Sequence, residues 1–348
     1  MQFKLESPLD ESTREKSSRK GAKTQRRGGR RAGVLALPNR NFVAAEFSKK
    51  VDLRSCLGAF GNILSGMNDY LAAVIIGIVE GLTEFLPVSS TAHIRITQEL
   101  LGLPRDSEYW KMFAIVIQLG AILSVVVYFR ARLLGFVQDF FSTKPVDESS
   151  DQRPCRWRHP LVLVLIAFVV TAIPCYLIDK TIGENLESLQ VMGWALLVGG
   201  VVMWVVDKMF GNRGTTDSIE KINLRQAIVI GGMQIFAAAF PGTSRSMATI
   251  AGGQIMGLSR GTALEFSFFL SIPVMFAATG FKLLKFMLES PIAMSGKDWG
   301  VLSIGFAVSF VVALAVIAWF MSWVRQRGFM PFAIYRIIAG IALLLAIR

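Results

Sequence analysis

Glu80 and Glu84 stand four residues apart in an apolar run, so a helix would put both carboxylates on one face. Two carboxylates that close in a low dielectric repel, so either one keeps a proton or a cation sits between them. A hard divalent ion such as Mg²⁺ suits oxygen ligands of this kind. The competing reading is a pair of glutamates lining a water-filled cleft without metal. Pro87 comes next, then Ser89, Ser90, Thr91 and His93. Helix starts leave backbone N–H groups free and attract anions. A helix beginning here would project Ser90 and His93 from one face, and a serine needs an adjacent base, usually histidine, to become a nucleophile. N-capping is the plainer expectation for Ser89 and Thr91, and the one favoured for Ser89. For His93 the plain alternative is a core histidine bonded to a carbonyl, but the neighbouring carboxylates and hydroxyls favour a chemical role.

A second stretch supplies the complement, Pro241-Gly242-Thr243-Ser244-Arg245-Ser246-Met247-Ala248-Thr249. Gly242 permits a tight turn. Ser244, Ser246 and Thr249 offer hydroxyls, and Arg245 brings a planar fork that matches phosphate oxygens. An arginine at membrane depth costs ~2.5–3.5 kcal/mol on insertion scales, so Arg245 needs an anion. Glu80 or Glu84 would serve at rest and a phosphate in turnover. Carboxylates, a nucleophile with a base and an anion clamp are the equipment of phosphoryl transfer to water.

The elements that must position these groups come in two copies, 154 residues apart and aligned without a gap: Gly77 matches Gly231, Glu80 matches Gln234, Pro87 matches Pro241 and Ser90 matches Ser244. Each copy reads as an apolar half-helix, a proline break and a short return helix: Asn68–Leu86 with Val88–Leu103, and Leu224–Phe240 with Gly242–Leu258. Neither half looks like an independent span, and such broken backbone is tolerated only inside protein or beside water. Six other apolar runs are long enough to cross a bilayer: Met112–Phe129, Leu161–Ile178, Val191–Val206, Ala263–Phe281, Val301–Met321 and Pro331–Ile347. With 53% apolar and 18% charged residues, the chain reads as an integral membrane protein. The runs are continuous rather than alternating, which favours helices over a barrel. Cys56, Cys155 and Cys175 show no metal-ligand spacing and read as ordinary thiols.

Three spans between the two hairpins place them on opposite faces. The expected fold is therefore an all-α polytopic membrane protein of two inverted repeats, each a re-entrant helix hairpin plus three transmembrane helices, with the hairpin tips meeting near the midplane. Loop charge sets the orientation. Arg130, Arg132, Lys144, Arg153, Arg156 and Arg158 come after one span, Lys208, Arg213, Lys221 and Arg225 after another, and Arg325 and Arg327 after a third. All fall on one side, assigned to the cytoplasm, while the opposite loops hold Lys180 and Lys297. Both ends of the membrane domain, residues 67–348, then fall outside.

Residues 1–66 carry +8 of the formal +12 charge and lack apolar periodicity, so they read as a disordered basic extension rather than a nucleic-acid-binding arm. Residues 51–64 read equally as a surface amphipathic helix or a linker. Exporting this tail would defy the positive-inside tendency. Met67 stands just before the first hairpin, and the hypothesis is that residues 1–66 are absent from the mature protein. Mass spectrometry of the native protein tests it, and a peptide from residues 1–60 would overturn it.

The stretches Glu80–Thr91 and Pro241–Ser246 resemble the two signature motifs of the bacitracin-resistance, undecaprenyl-diphosphate phosphatase family. Val116–Gly120, Glu265–Phe268 and Pro331–Arg336 are similar to supporting segments, and the resemblance covers roughly residues 68–348. It implies removal of the terminal phosphate from undecaprenyl diphosphate, giving the monophosphate carrier lipid for cell-wall synthesis. It also implies a divalent metal, an outward-facing site in the bacterial plasma membrane and a homodimer. By its motifs Glu80 and Glu84 are the acidic pair, Ser90 and His93 both stand as nucleophile or base, and Arg245 is the diphosphate clamp. Ala92, Met247 and Phe240 depart from the usual family residues and crowd the site without removing a reactive group. A membrane lipid phosphatase with two catalytic histidines fails on inventory, since His93 and His159 are the only histidines and His159 lies in a basic loop. The rival of another class is a transporter or flippase for an anionic polyprenyl lipid; a pure carrier would not need the serine, histidine and glutamates.

Overall fold

The computed structural model describes residues 68–104, 107–142, 156–179, 188–289 and 294–347. The basic extension and Cys56 and Cys155 lie outside the described residues. The described chain is helical: α1 (Asp69–Thr83), α2 (Ser90–Leu100), α3 (Glu108–Tyr128), α4 (Arg130–Phe141), α5 (Pro160–Asp179), α6 (Leu189–Phe210), α7 (Leu224–Ala239), α8 (Arg245–Ile255), α9 (Arg260–Glu289), α10 (Gly296–Arg327) and α11 (Met330–Ile347). Among the described residues six helices are long and apolar enough to cross a membrane, namely α3, α5, α6, α9, α10 and α11. These are the six runs picked out by hydropathy, most of them extended by polar residues at their ends.

One stretch differs from expectation. Arg130–Phe141, expected to begin a basic loop, is the separate helix α4. Only Phe136 of it is buried, so its apolar face is too narrow to register as a span, yet it is wide enough to hold the helix against its neighbours. Arg132 on this helix pairs with both Glu220 and Glu265. His159 accepts a hydrogen bond from the Leu161 N–H at the start of α5, with its ring against Phe136 and Phe140, a capping role rather than a chemical one.

The short helices are held by close backbone approach. Gly77 and Gly81, one turn apart on α1, lie against α10, where an added Cβ would sit 2.8 Å from the Gly305 carbonyl and 2.7 Å from Val312 Cβ. Small residues four apart are how helices pack tightly when lipid offers no hydrophobic contrast. On α7, Gly231 is pressed against the Ala167 backbone of α5, and Thr171 donates to the Gly231 carbonyl at 2.7 Å. Replacing Gly81 by valine is expected to overpack this contact and destabilise the protein by about 1–3 kcal/mol. A lowered unfolding temperature in detergent would register it, and an unchanged one would contradict the packing.

Polar contacts tie the helix ends. Asp69 at the start of α1 pairs with Lys297 at the start of α10, and the Tyr109 hydroxyl donates to the Asp298 carbonyl at 2.9 Å. At the far end of α10, Asp207 accepts from Arg260, from Gln254 and from the Phe329 N–H. Gln226 at the start of α7 bonds to Thr216 and the Met256 carbonyl.

Candidate active site

The two broken helix pairs turn differently. Glu84–Ser89 joins α1 to α2 without a glycine, whereas Phe240–Ser244 joins α7 to α8 in one residue fewer, through Gly242 at φ +98°. The return helices begin at Ser90 and Arg245, 155 residues apart and not 154, so Ser244 is the structural counterpart of Ser89 rather than of Ser90. Both serines hold left-handed φ, 75° and 74°, an expensive conformation for a residue with a Cβ. The ungapped alignment is off by one here because α7 runs two residues further than α1 and the shorter glycine turn gives back only one. Arg245, not Ser244, thus opens the second return helix where Ser90 opens the first.

Glu84 is the hub. It caps α1 in helical conformation, its N–H bonded to the Glu80 carbonyl, so the four-residue relation of the two carboxylates survives. One Glu84 oxygen accepts the Ser90 hydroxyl at 2.6 Å, and the other accepts Arg245 Nη2 at 3.2 Å, a bond between residues from opposite elbows. Glu80 lies beside it, fully buried, and neither of its side-chain oxygens meets a donor among the described residues.

In the second elbow the hydroxyls of Ser244, Ser246 and Thr249 bond within the protein. Ser244 caps α8 through the Met247 N–H and touches the Ser246 hydroxyl at 3.0 Å. Ser246 donates to the Leu86 carbonyl at 2.9 Å, binding one elbow to the other. The Thr249 hydroxyl is buried against the Arg245 and Ser246 carbonyls and Ser267 Oγ. Gly242 packs against the Met192 backbone and gives its carbonyl to Arg336. Ser89 stands at the N-cap but its side chain makes no capping bond, contrary to the expectation for it; the unusual φ and ψ of Ser89 accompany this loss.

His93 does not bond to Ser90. Its Nδ1 lies 2.7 Å from the Ser89 carbonyl, which can only accept, so Nδ1 carries a proton. In the neutral ring the Nε2 lone pair then accepts from the Tyr335 hydroxyl at 2.6 Å, and the two rings stack. The base within reach of Ser90 is accordingly Glu84. Tyr335 also borders an apolar groove of about 810 Å³ lined by Leu82, Leu86, Val88, Trp319 and Phe332, which opens beside the first elbow.

Two residues escape a reading of the sequence. Tyr335 gives no signal beyond being a tyrosine near a span end. Arg336 does: a cation inside the apolar run Pro331–Ile347 is a functional candidate on cost alone.

Oxygen chemistry makes the carboxylate pair a fit for a hard cation. Among the described residues no cluster of three or more His, Cys, Asp or Glu could hold a metal by itself. Glu80 nevertheless keeps both oxygens without donors next to Glu84. Mg²⁺ commonly takes one or two carboxylates and fills its remaining positions with water and substrate phosphate.

A family model described as "Bacitracin resistance protein BacA" matches residues 73–342. A curated undecaprenyl-diphosphatase from Koribacter versatilis (strain Ellin345) is 54% identical over 286 residues, covering 80% of this chain and 98% of that protein. One from Novosphingobium aromaticivorans is 44% identical over 274 residues, covering 79% and 96%. Another, from Wolinella succinogenes, is 38% identical over 277 residues, covering 79% and 97%.

Proposed function

The chain belongs to the bacitracin resistance protein family, and from that premise we propose how its residues perform the family's reaction. It is a multi-pass membrane enzyme that hydrolyses undecaprenyl diphosphate to undecaprenyl phosphate and inorganic phosphate, returning the carrier lipid to peptidoglycan synthesis. The observation that carries the mechanism is Glu84, joined at once to the Ser90 hydroxyl and the Arg245 guanidinium.

Ser90 Oγ attacks the terminal phosphorus while its proton passes to Glu84. The bond from that phosphorus to the bridging oxygen breaks, and the lipid monophosphate leaves with the electron pair. Water then attacks the phosphoserine, releasing inorganic phosphate and restoring the hydroxyl. Arg245 exchanges Glu84 for the phosphate oxygens and neutralises charge as the oxygens spread in the transition state. His93, with both nitrogens engaged, orients the start of α2 and, through Tyr335, borders the path of the lipid. The first-turn N–H groups of α2, which no side chain caps, would face phosphate in the manner of helix starts generally. Ser244, Ser246 and Thr249 hold the second elbow's shape rather than the phosphate.

Glu80 and Glu84 would hold the metal, which when bound polarises phosphate oxygens as a Lewis acid. Stripping divalent ions with a chelator is expected to abolish phosphate release, and added Mg²⁺ to restore it; full turnover in excess chelator would remove the metal from the scheme. The apolar groove beside Tyr335 takes the first isoprene units, and its size is that of a lipid or drug-sized ligand site.

The topology we favour is the inverted repeat with two re-entrant hairpins. It is supported by the pairing of α1 with the starting end of α10 through Asp69–Lys297, against that of α7, whose Gln226 bonds to the Met256 carbonyl after α8, while Gln254 of α8 donates to the Asp207 that meets Arg260 and Phe329 at the far end of α10. It is supported too by α1 packing on α10 as α7 packs on α5. In this reading the site opens outward. The homodimer is proposed from the resemblance, and light scattering of the purified protein tests it. Phosphate release from undecaprenyl diphosphate in detergent tests the whole assignment; a pure, folded protein that released none would defeat it.

A further inference from the structure

Arg336, on α11, is fully buried. Its guanidinium donates to three carbonyls: Pro87 in the first elbow at 3.1 Å, Gly242 in the second at 3.3 Å, and Ala195 on α6 at 3.0 Å. Among the described residues no carboxylate pairs with it, and its Nε meets no acceptor. The space is carved for it. A methyl group on Gly199 would collide with Nη2, and one on Gly200 would lie 3.0 Å from Arg336 Cβ.

Tying three carbonyls needs donors but not a charge. An amide could satisfy one or two of them without desolvating an ion, so a buried guanidinium with no counter-ion calls for an anion elsewhere. The local charge count supplies the reason. With a divalent ion on Glu80 and Glu84 and Arg245 beside them, the site still falls short of the charge that a diphosphate brings. Arg336, held on the backbone of both elbows, adds a further positive charge there.

We propose that Arg336 is a positioning residue of the reaction: it fixes the separation of the acidic and cationic elbows and supplies, without touching the substrate, the second positive charge that the diphosphate meets. This rests on the phosphatase reading of the same site. It separates the two jobs by chemistry. The fork geometry sets the alignment of Ser90 against Arg245, and so kcat. The charge sets affinity for the anion.

Three variants of the full chain, Arg336→Gln, Arg336→Lys and Gly199→Ala, would be compared for kcat and KM on undecaprenyl diphosphate, inhibition by inorganic pyrophosphate, and thermal unfolding. Arg336→Gln is expected to lose at least 100-fold in kcat and to weaken pyrophosphate inhibition at least tenfold. Arg336→Lys keeps the charge but cannot hold three carbonyls, so inhibition stays within threefold while kcat falls at least tenfold. Gly199→Ala displaces an intact guanidinium and is expected to behave like the lysine variant. Pyrophosphate inhibition unchanged in Arg336→Gln would overturn the electrostatic role. Wild-type kcat in Arg336→Lys and Gly199→Ala would overturn the positioning role. If Arg336→Gln fails to fold, the other two decide: reduced kcat with inhibition retained upholds the proposal, and any other pattern overturns it. A wild-type protein that released no phosphate would instead defeat the phosphatase reading itself.

Discussion

Glu84→Ala is expected to lower kcat by about three to four powers of ten. General-base assistance is worth about 10²–10⁴-fold, and groups that act as a unit fall together when one is removed. The residue has two partners to lose: the Ser90 hydroxyl at 2.6 Å and Arg245 at 3.2 Å. Without it, Ser90 has no acceptor for its proton and Arg245 is left in a buried setting without its ion-pair partner. Steady-state phosphate release measures the loss, with thermal unfolding to confirm a folded protein. The double variant with Ser90→Ala is expected to be little worse than either single one, since both remove the same attack. Activity within tenfold of wild type in Glu84→Ala would take the base away from this carboxylate, and additive losses in the double variant would separate it from Ser90.

The second large effect belongs to Arg245. Truncation to alanine is expected to cost about 10²–10³-fold in kcat/KM, the size of a lost electrostatic donor to a developing anion. Lysine is expected to recover less than tenfold of that, because a single ammonium cannot reproduce the fork that spans two oxygens. Stability moves as well. The Glu84 side chain is 6% exposed, and leaving it buried without a partner costs about 3 kcal/mol by the usual behaviour of broken buried pairs. The two effects part under assay: at saturating lipid and a temperature well below unfolding, a stability defect vanishes and a missing clamp does not. An Arg245→Lys enzyme with wild-type kcat/KM would show that charge alone suffices and that the fork is idle.

Much of this architecture is legible in the chain. The six spans come from uninterrupted hydropathy, a local property that packing does not change. The two elbows come from proline inside apolar runs too short to cross twice. Glu80, Glu84 and Arg245 are visible because ionisable groups in such surroundings are costly, and the bond between Arg245 and Glu84 across 161 residues is the one that cost demands. Helix α4 is hidden since its single buried residue, Phe136, leaves no clear period. The carbonyl partners of Ser246 and Thr249 are not legible in the sequence, because a hydroxyl near an arginine looks the same whether it faces a ligand or a carbonyl.

By itself the sequence determined the class of molecule, the two broken helix pairs and the kinds of group brought to the site, because each rests on composition and on signals within a single turn or two. Tertiary structure alone decided who bonds to whom. The longer α7, offset only in part by the shorter glycine turn, shifts the second return helix by one residue, about 100° of helix, which set Ser244 opposite Ser89 and put Arg245 at the head of its helix. Packing of α11 beside both elbows gave His93 to Tyr335, left Glu84 as the partner of Ser90, and set a guanidinium between Pro87 and Gly242. Hydrogen bonds are angular and short-ranged, so they are settled by the last ångström of packing, which no spacing in a linear chain encodes.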